Sequence, residues 1–138
     1  SMTSLEELTQ VLDTAFYHLS PGGLLINVVE ACKDTFEQNA VQVDEARARS
    51  KPDNLDITFM ENWYDPEPED ETFENTLVML IRENGKQRIE TEVQVCGLFF
   101  LETWQEALVS SGFAVHEAEL TISETEESYP ALIGVKPH

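Results

Sequence analysis

Residues 19–29 read Leu-Ser-Pro-Gly-Gly-Leu-Leu-Ile-Asn-Val-Val, and this stretch decides how the chain is interpreted. A proline followed by two glycines ends the preceding helix. The apolar run that follows is typical of a strand buried on both faces, as in a parallel α/β sheet. Such a strand normally lies in the middle of a larger domain, whereas here it is the first strand of the chain. The sequence therefore predicts the second half of a larger α/β unit.

Length and composition indicate one folded domain. The chain has 138 residues, of which 41% are hydrophobic, and this is enough to build a core. Its apolar runs are far shorter than the roughly 20 residues of a membrane span, and no signal peptide precedes the first helix, so we expect a cytoplasmic protein. Cys32 and Cys96 lack metal-ligand spacing and are interpreted as reduced thiols, with a disulfide as the alternative.

The charge is strongly negative, because 27 Asp and Glu residues oppose 8 Lys and Arg residues, for a formal net charge of −19. This balance argues against nucleic acid and against an anionic membrane as partners, since both bind cationic surfaces. Acidic residues concentrate in Glu61–Glu74 and Glu117–Glu127. The first segment lacks the residue order of an EF-hand loop, and we interpret both as solvated loops; the alternative is a calcium site or a cation-binding groove.

The first third of the chain predicts two helices around the apolar strand. Ser4–Glu7 forms a capping box, and apolar residues then recur at helical spacing as far as Leu19. His18 lies in the last turn, where the helix dipole favours a cation, and we assign it a capping role. Residues 34–49 show a weaker helical period and are predicted as a second helix, which ends at the break of residues 50–54.

The middle of the chain predicts a three-stranded antiparallel sheet. Ile57–Tyr64 and Thr76–Arg82 have the composition of strands, and Asn84-Gly85 supplies the positive φ angles of a tight hairpin turn. The strand after the turn alternates between apolar and polar residues. Its positions on the apolar side are Ile89, Thr91, Val93 and Val95. The pattern predicts one apolar and one solvated face.

The last third predicts a helix and a closing hairpin. The helix covers Glu102–Ser111 and ends at Gly112, a natural positive-φ cap. Strands at Phe113–Leu120 and Ala131–Val135 follow, joined by an acidic turn over residues 123–128. We expect one domain over residues 3–137. Its parts are a helix and buried strand (3–33), a helix and antiparallel insertion (34–96), and a helix with the strand hairpin (97–137).

In this order, the elements resemble the C-terminal half of a class I S-adenosylmethionine-dependent methyltransferase. Four pieces carry the resemblance from Leu5 to Pro137. They are FYHLSPGG (16–23) with its strand, the antiparallel insertion (57–95) where many small-molecule members carry a lid, FFLETWQEALVSSGF (99–113), and IGVKP (133–137). The resemblance implies an α/β class with a partial Rossmann-like sheet and a three-stranded antiparallel insertion, which is α+β as an isolated fragment.

The cofactor-binding half of that family has no counterpart in this sequence. In the family, a Gly-rich loop after the first strand and an acidic residue ending the second strand hold the cofactor. This chain contains no Gly-x-Gly, and its adjacent glycines, Gly22 and Gly23, lie in a turn. S-adenosylmethionine is therefore expected as the cofactor of the complete enzyme. No cofactor-binding residue is assigned here, and the chain alone is expected to bind no cofactor.

The resemblance implies that the end of the apolar strand and the lid sheet face the methyl acceptor. Asn27 and Glu30 are the polar candidates there. Glu30 either acts as a base or orients an amine, and the alternative is an ordinary solvated residue. Trp63 and Tyr64 either form an aromatic wall over the acceptor or cover the apolar face of the sheet. Cys96 either lines a pocket or is a small buried residue.

Two functions from different classes remain open. In the first, the chain is the acceptor-binding part of a methyltransferase for a small molecule and works with a missing N-terminal half. In the second, it is a non-catalytic α/β module derived from that fold, which dimerises or binds a partner protein. A third is a small α+β fold whose sheet curls around an apolar ligand. Because a half sheet leaves an unpaired edge at Leu24–Val29, we expect the isolated chain to form a homodimer.

Overall fold

A computed structural model describes residues 4–49, 54–123 and 127–138. The described elements are, in order, α1 (Leu5–His18), β1 (Leu24–Val28), β2 (Ala40–Arg49), β3 (Asn54–Tyr64), β4 (Thr72–Glu83), β5 (Lys86–Gly97), α2 (Leu101–Ser110), β6 (Ala114–Ile122) and β7 (Glu127–Val135). The predicted mixed α/β class is confirmed. No described helix is both long enough and apolar enough to span a bilayer.

The chain divides into two compact units. One contains both helices with β1, β6 and β7, and we call it the helix–sheet unit (residues 4–36 and 98–138). The other contains β2 to β5, and we call it the four-stranded unit (Glu37–Gly97). Each is described by itself.

The helix–sheet unit has an antiparallel sheet in the order β1-β7-β6, and both helices pack on one of its faces. Register places Leu25 and Asn27 opposite Gly134 and Leu132, so these residues share the helix-covered face. The buried core consists of Leu8, Leu12, Val29, Cys32, Phe99, Ala107, Leu108, Phe113 and Leu132. The predicted apolar face of α1 is buried at Leu8 and Leu12, whereas Leu5 and Val11 on the same helix are 42% and 49% exposed.

Local sequence signals fix the helix ends. Ser4 Oγ accepts a hydrogen bond from the N–H of Glu7 at 3.2 Å, as the predicted capping box requires. The first turn of α2 lacks a cap from its own N-cap residue, and the carboxylate of Asp34 instead accepts from the N–H of Leu101 at 2.8 Å. At the other end, Gly112 has φ +108° and its N–H donates to the carbonyl of Val109 at 3.0 Å, so the predicted cap is confirmed.

A contact between the start and the end of the chain fixes the C-terminal end of α1. The ammonium group of Lys136 donates to the carbonyl oxygens of Phe16 and Leu19 at 2.9 and 2.8 Å. The same ammonium lies 4.6 Å from the ring centroid of Phe16, and that ring meets Phe113 edge to face at 5.1 Å. A cation thus satisfies two carbonyls where the helix dipole is negative.

The prediction that the apolar strand is buried on both faces, within a parallel sheet, is wrong for this chain. β1 pairs antiparallel with β7 and is an edge strand of the described sheet. Leu24 and Ile26 are 55% and 64% exposed, because the helices cover only the other face. The physical reason is that neither a second neighbouring strand nor a second helix layer is present among the described residues.

The four-stranded unit is an antiparallel meander in the order β2-β3-β4-β5. The strands predicted at Ile57–Tyr64 and Thr76–Arg82 and after the Asn-Gly turn are confirmed, and Asn84 and Gly85 have φ of 53° and 80°. A fourth strand, β2, joins the three predicted. The predicted break at 50–54 lies outside the described residues except for Asn54, and the predicted turn at 123–128 is described only at its ends.

The helix predicted over residues 34–49 is wrong, because residues 40–49 form β2. This segment pairs with β3 along its whole length, from Ala40 opposite Trp63 to Arg49 opposite Asn54. Its apolar positions satisfy both a helical period and the alternation of Val41 and Val43. Pairing with a neighbouring strand decided between the two patterns, since β structure depends on cross-strand partners more than on local preference.

The apolar side predicted for the third strand exists, but it is not buried within its unit. Ile89, Val93 and Val95 are 64%, 58% and 49% exposed. β5 is an edge strand, and nothing in the described part of the four-stranded unit forms a second layer over this side.

We predict that Gly112→Ala destabilises the fold more than Gly85→Ala. Both glycines have positive φ, but a Cβ at Gly112 would lie 2.8 Å from the Phe16 ring, whereas a Cβ at Gly85 meets nothing within 4 Å. The expected losses are about 3 kcal/mol and about 1 kcal/mol of unfolding free energy. Denaturant unfolding followed by circular dichroism measures both, and equal losses would contradict the packing argument.

We also predict that Lys136→Met lowers the unfolding free energy by about 1–2 kcal/mol, because two carbonyls at the end of α1 lose a charged donor. Lys86→Met removes a lysine from the exposed hairpin turn and serves as the matched control, with an expected change within about 0.5 kcal/mol. Thermal unfolding of the two variants tests this, and similar shifts in both would refute the capping role of Lys136.

Candidate functional site

A concave feature of the four-stranded unit lies where β2 and β3 meet. A cavity of about 130 Å³ is lined by Ala40, Val41, Gln42, Glu61 and Trp63. Cross-strand register places Gln42 opposite Glu61 and Ala40 opposite Trp63, so these four side chains share one face of the sheet. We call this feature the Trp63 cavity. It combines an aromatic ring, a carboxylate and an amide.

Trp63 is held by its neighbours on that face. Its ring meets the ring of the buried Phe73 at a centroid distance of 5.1 Å and an interplanar angle of 54°. Its backbone carbonyl accepts a hydrogen bond from the N–H of Asn39 at 2.8 Å. Asn39 has φ 60°, a turn conformation that directs the chain into β2. The indole is therefore positioned by packing and by backbone geometry together.

Tyr64 does not share a wall with Trp63. Consecutive strand residues point to opposite faces, so the two rings lie on opposite sides of the sheet. Tyr64 is 42% exposed, and register places it opposite Glu74. Of the two aromatic candidates, only Trp63 lines the cavity.

Two further polar groups face this side of the sheet. Register places Asn75 directly opposite Trp63, and its Oδ1 is buried without a hydrogen-bond partner among the described atoms. The amide nitrogen of Gln42 donates to Asp44 at 3.1 Å, which leaves its Oε1 as the atom able to accept. Sequence reasoning did not select Gln42, Glu61 or Asn75. Only Glu61 carried a usable signal, since a spacing of two from Trp63 on a strand means the same face.

Cys96 lies on this same face, opposite Phe73 in register. The thiol is only partly buried and is not bonded to another cysteine. Burial raises the pKa of Cys96, and the negative charge of Glu61 adds to the rise. A raised pKa leaves less thiolate at a given pH, which makes Cys96 a poor nucleophile.

The acidic loop after β3 is organised by its own carboxylates. Asp65 is 6% exposed; its backbone N–H donates to Gln38 Oε1 at 2.7 Å, and its carbonyl accepts from Gln38 Nε2 at 2.7 Å. Its side chain accepts from the N–H of Glu67, and Asp70 accepts from the N–H of Thr72. These are turn-forming contacts. The described residues contain no group of three metal-ligand side chains.

Asn27 and Glu30 belong to the helix–sheet unit. Asn27 lies on the helix-covered face, and its Nδ2 is buried with no partner among the described atoms. Glu30 is exposed. The pKa of Tyr129 is raised chiefly by its hydrogen bond to Glu127, with a smaller contribution from the charge of Glu30. The sequence candidates are therefore divided between the two units.

The sequence matches no protein-family model, and no curated protein matches it significantly. Solved structures do match. DesVI of Streptomyces venezuelae matches with a TM-score of 0.76 and 20% identity, covering 98% of this chain and 52% of that one. CalS10, an amino pentose methyltransferase from Micromonospora echinaspora solved with S-adenosylmethionine bound, matches with 0.74 and 15%, covering 98% and 52%.

The sugar N-methyltransferase KedS8 from Streptoalloteichus sp. matches with a TM-score of 0.73 and 16% identity, covering 98% of this chain and 51% of that one. The chain has a methyltransferase fold. It spans about half the length of the methyltransferase structures that it matches, as a C-terminal fragment of the fold would. The resemblance seen in the sequence is thereby confirmed at the level of the fold.

We predict that Cys96 reacts with iodoacetamide more slowly than a free cysteine at mildly alkaline pH, because its raised pKa keeps the thiol protonated. Glu61→Gln removes a negative charge, lowers this pKa and should speed the reaction, whereas Glu92→Gln on β5 should leave the rate unchanged. Alkylation followed by peptide mapping resolves Cys96 from Cys32. A rate equal to that of free cysteine would contradict the prediction.

Proposed function

We propose that this chain is the acceptor-binding part of an S-adenosylmethionine-dependent methyltransferase that acts on a small molecule. The observation that carries the proposal is the fold match, which covers 98% of this chain and about half of each methyltransferase. In this proposal, a second part of the protein or a partner supplies the cofactor site. This chain binds and orients the acceptor, which is most of what an in-line methyl transfer needs from the protein.

The free edge of β1 supports the partnership with a cofactor-binding half. Val29 donates to Pro130 and Lys136 donates to Gly23, so the backbone groups of the residues between, at 24, 26 and 28, point away from β7. Leu24 and Ile26 lie on this edge strand, and their side chains are exposed. Unpaired backbone groups beside apolar surface are what an added strand and a covering layer would satisfy.

In this proposal the S-adenosylmethionine site does not lie in the described residues. Such a site needs glycines whose missing side chains let a ligand approach the backbone. A Cβ at Gly112 or Gly134 would meet the ring of Phe16 or Phe113, and one at Gly22 would meet His138. These glycines make room for the protein's own side chains. The cofactor is therefore assigned to the missing half, and no step is assigned to it here.

An amine on a sugar is the acceptor class that we propose. CalS10 acts on an amino pentose and KedS8 on a sugar nitrogen. A net charge of −19 raises the local concentration of a cationic amine around the protein. The candidates Asn27, Glu30, Trp63 and Cys96 stay proposals for this role, and Trp63 is the one that lines a cavity.

The second candidate function is a non-catalytic module that dimerises, and the same β1 edge favours it. Two copies could pair along this edge in the absence of a cofactor half. Binding of S-adenosylhomocysteine separates the two functions, because a module without a cofactor-binding partner never acquires a cofactor site.

We predict that titration of the isolated chain with S-adenosylhomocysteine gives no heat of binding, because the sequence contains no Gly-x-Gly. The protein extended by the sequence encoded upstream of residue 1 should bind it. Isothermal titration calorimetry measures both. Binding to the isolated chain would contradict the assignment of the cofactor to the missing half, and no binding to either protein would favour the non-catalytic module.

We predict that the isolated chain is a homodimer held by the β1 edge. Ile26→Lys places a charge beside the unpaired backbone and should convert the dimer to monomer. Val109→Lys makes the same change at an exposed site on α2 and should leave the dimer intact. Sedimentation velocity over a range of concentrations reads the mass. A wild-type monomer at every concentration would rule out this dimer.

A further inference from the structure

We propose that the Trp63 cavity binds a small organic ammonium group, with the indole ring and the Glu61 carboxylate as its recognition elements. The inference rests on the proposed function, for which it names the chemical group of the acceptor that this chain holds. Its support comes from the lining of the cavity, the distribution of charge and the size of the space.

The polar atoms around the indole are acceptors. Glu61 is half-buried, and its carboxylate makes no hydrogen bond or ion pair in the described part of the chain. One N–H of the Gln42 amide is directed to Asp44, and its Oε1 can accept a hydrogen bond from a ligand. A partly desolvated carboxylate without a counter-ion is costly. A ligand that carries donors and positive charge would satisfy the Glu61 carboxylate and the Gln42 Oε1, both of which belong to residues that line the cavity.

The aromatic ring narrows the ligand to a cation with apolar substituents. The face of an indole attracts a cation within about 6 Å of its centroid, and tryptophan is the best of the aromatic residues at this. A metal ion would need several oxygen ligands in place of a ring. An ammonium group with carbon substituents uses the ring, the Glu61 carboxylate and the Gln42 amide oxygen together.

The distribution of charge in the four-stranded unit agrees with this ligand. No lysine or arginine occurs between Ile57 and Ile81. Arg47 lies opposite Asp56, and Arg82 and Arg88 also lie toward that end of the sheet. Asp56 is seven residues from Trp63 along β3, a distance of about 23 Å. The end that holds the Trp63 cavity therefore keeps its negative charge, which favours a cation.

The size of the cavity indicates which part of a ligand it holds. Its volume of about 130 Å³ is below the roughly 300–1,000 Å³ of pockets that enclose a drug-sized molecule. The space suits one substituted ammonium group, with the remainder of the ligand lying outside. The ammonium group is the part of an amine acceptor, or of its methylated product, that distinguishes it from a neutral sugar.

The test uses the full chain and two matched pairs of probes. Choline is compared with 3,3-dimethylbutan-1-ol, its neutral isostere, and D-glucosamine is compared with D-glucose. The indole N–H signal of Trp63 in a ¹H–¹⁵N spectrum is the readout, and it is assigned by comparison with Trp63→Phe. We expect weak, saturable shifts with choline, with glucosamine or with both, and none with the neutral partners.

Stronger binding of choline would point to the methylated product, and stronger binding of glucosamine to the unmethylated amine. Glu61→Gln should weaken the binding about tenfold, and Trp63→Leu should do so severalfold while Trp63→Phe retains most of it. The indole signal is absent from Trp63→Leu and Trp63→Phe. The affinities of these two variants for choline and glucosamine are therefore measured by isothermal titration calorimetry. Glu92→Gln removes an equal charge from an exposed site on β5 and should leave the affinity unchanged.

Equal shifts with ammonium and neutral probes would overturn the proposal, and so would equal affinities of Glu61→Gln and Glu92→Gln. Circular dichroism of each variant shows that it is folded. Failure of this proposal is distinguishable from failure of the proposed function, because cofactor binding by the extended protein is measured without any ammonium probe. A protein that binds S-adenosylhomocysteine but no ammonium probe would retain the function and lose this site.

Discussion

The antiparallel register of β3 with its two neighbours is the constraint on which the candidate site depends. Side chains alternate along a strand, so pairing Trp63 with Ala40 on one side and Asn75 on the other fixes which groups surround the ring. The same register sets Glu61 opposite Gln42. A slip of one residue would place a valine of β2 opposite Glu61 instead. The chemistry of the Trp63 cavity is thus a consequence of strand pairing.

In the helix–sheet unit, the two helices cover one face of the sheet and leave Leu24 and Ile26 exposed on the other. On the helix-covered face, the rings of Phe16 and Phe113 pack edge to face. Lys136, which follows the last strand, donates hydrogen bonds to two carbonyls at the end of α1. On the other face, Leu24 and Ile26 are exposed beside an unpaired strand edge. The sheet is packed on one face, and its β1 edge pairs with no other strand among the described residues. This asymmetry agrees with a chain that covers half of a methyltransferase fold.

Sequence patterns predicted well wherever the signal was local. The Asn84-Gly85 turn, the capping box at Ser4 and the cap at Gly112 each depend on the conformational preferences of one to four neighbouring residues. The helix predicted for residues 40–49 is wrong because their apolar positions fit two periods, and pairing with β3 residues 5 to 23 positions further along the chain selected one of them. For the same reason Gln42 was not predicted as a site residue. Trp63 was identified as a candidate together with Tyr64. The two are consecutive residues of β3, so their side chains lie on opposite faces of the sheet.

The sequence by itself determined the α/β class, the negative charge, the likeness to half of a methyltransferase and the lack of a glycine-rich cofactor loop. These properties are readable because they depend on composition and on short stretches of chain. Only the tertiary structure decided that β1 pairs antiparallel with β7, that residues 40–49 are a strand, and that Glu61, Gln42 and Asn75 share a sheet face with Trp63. Each of these depends on which strands pair and in which register, and burial and hydrogen bonding across strands are properties of the assembled sheet.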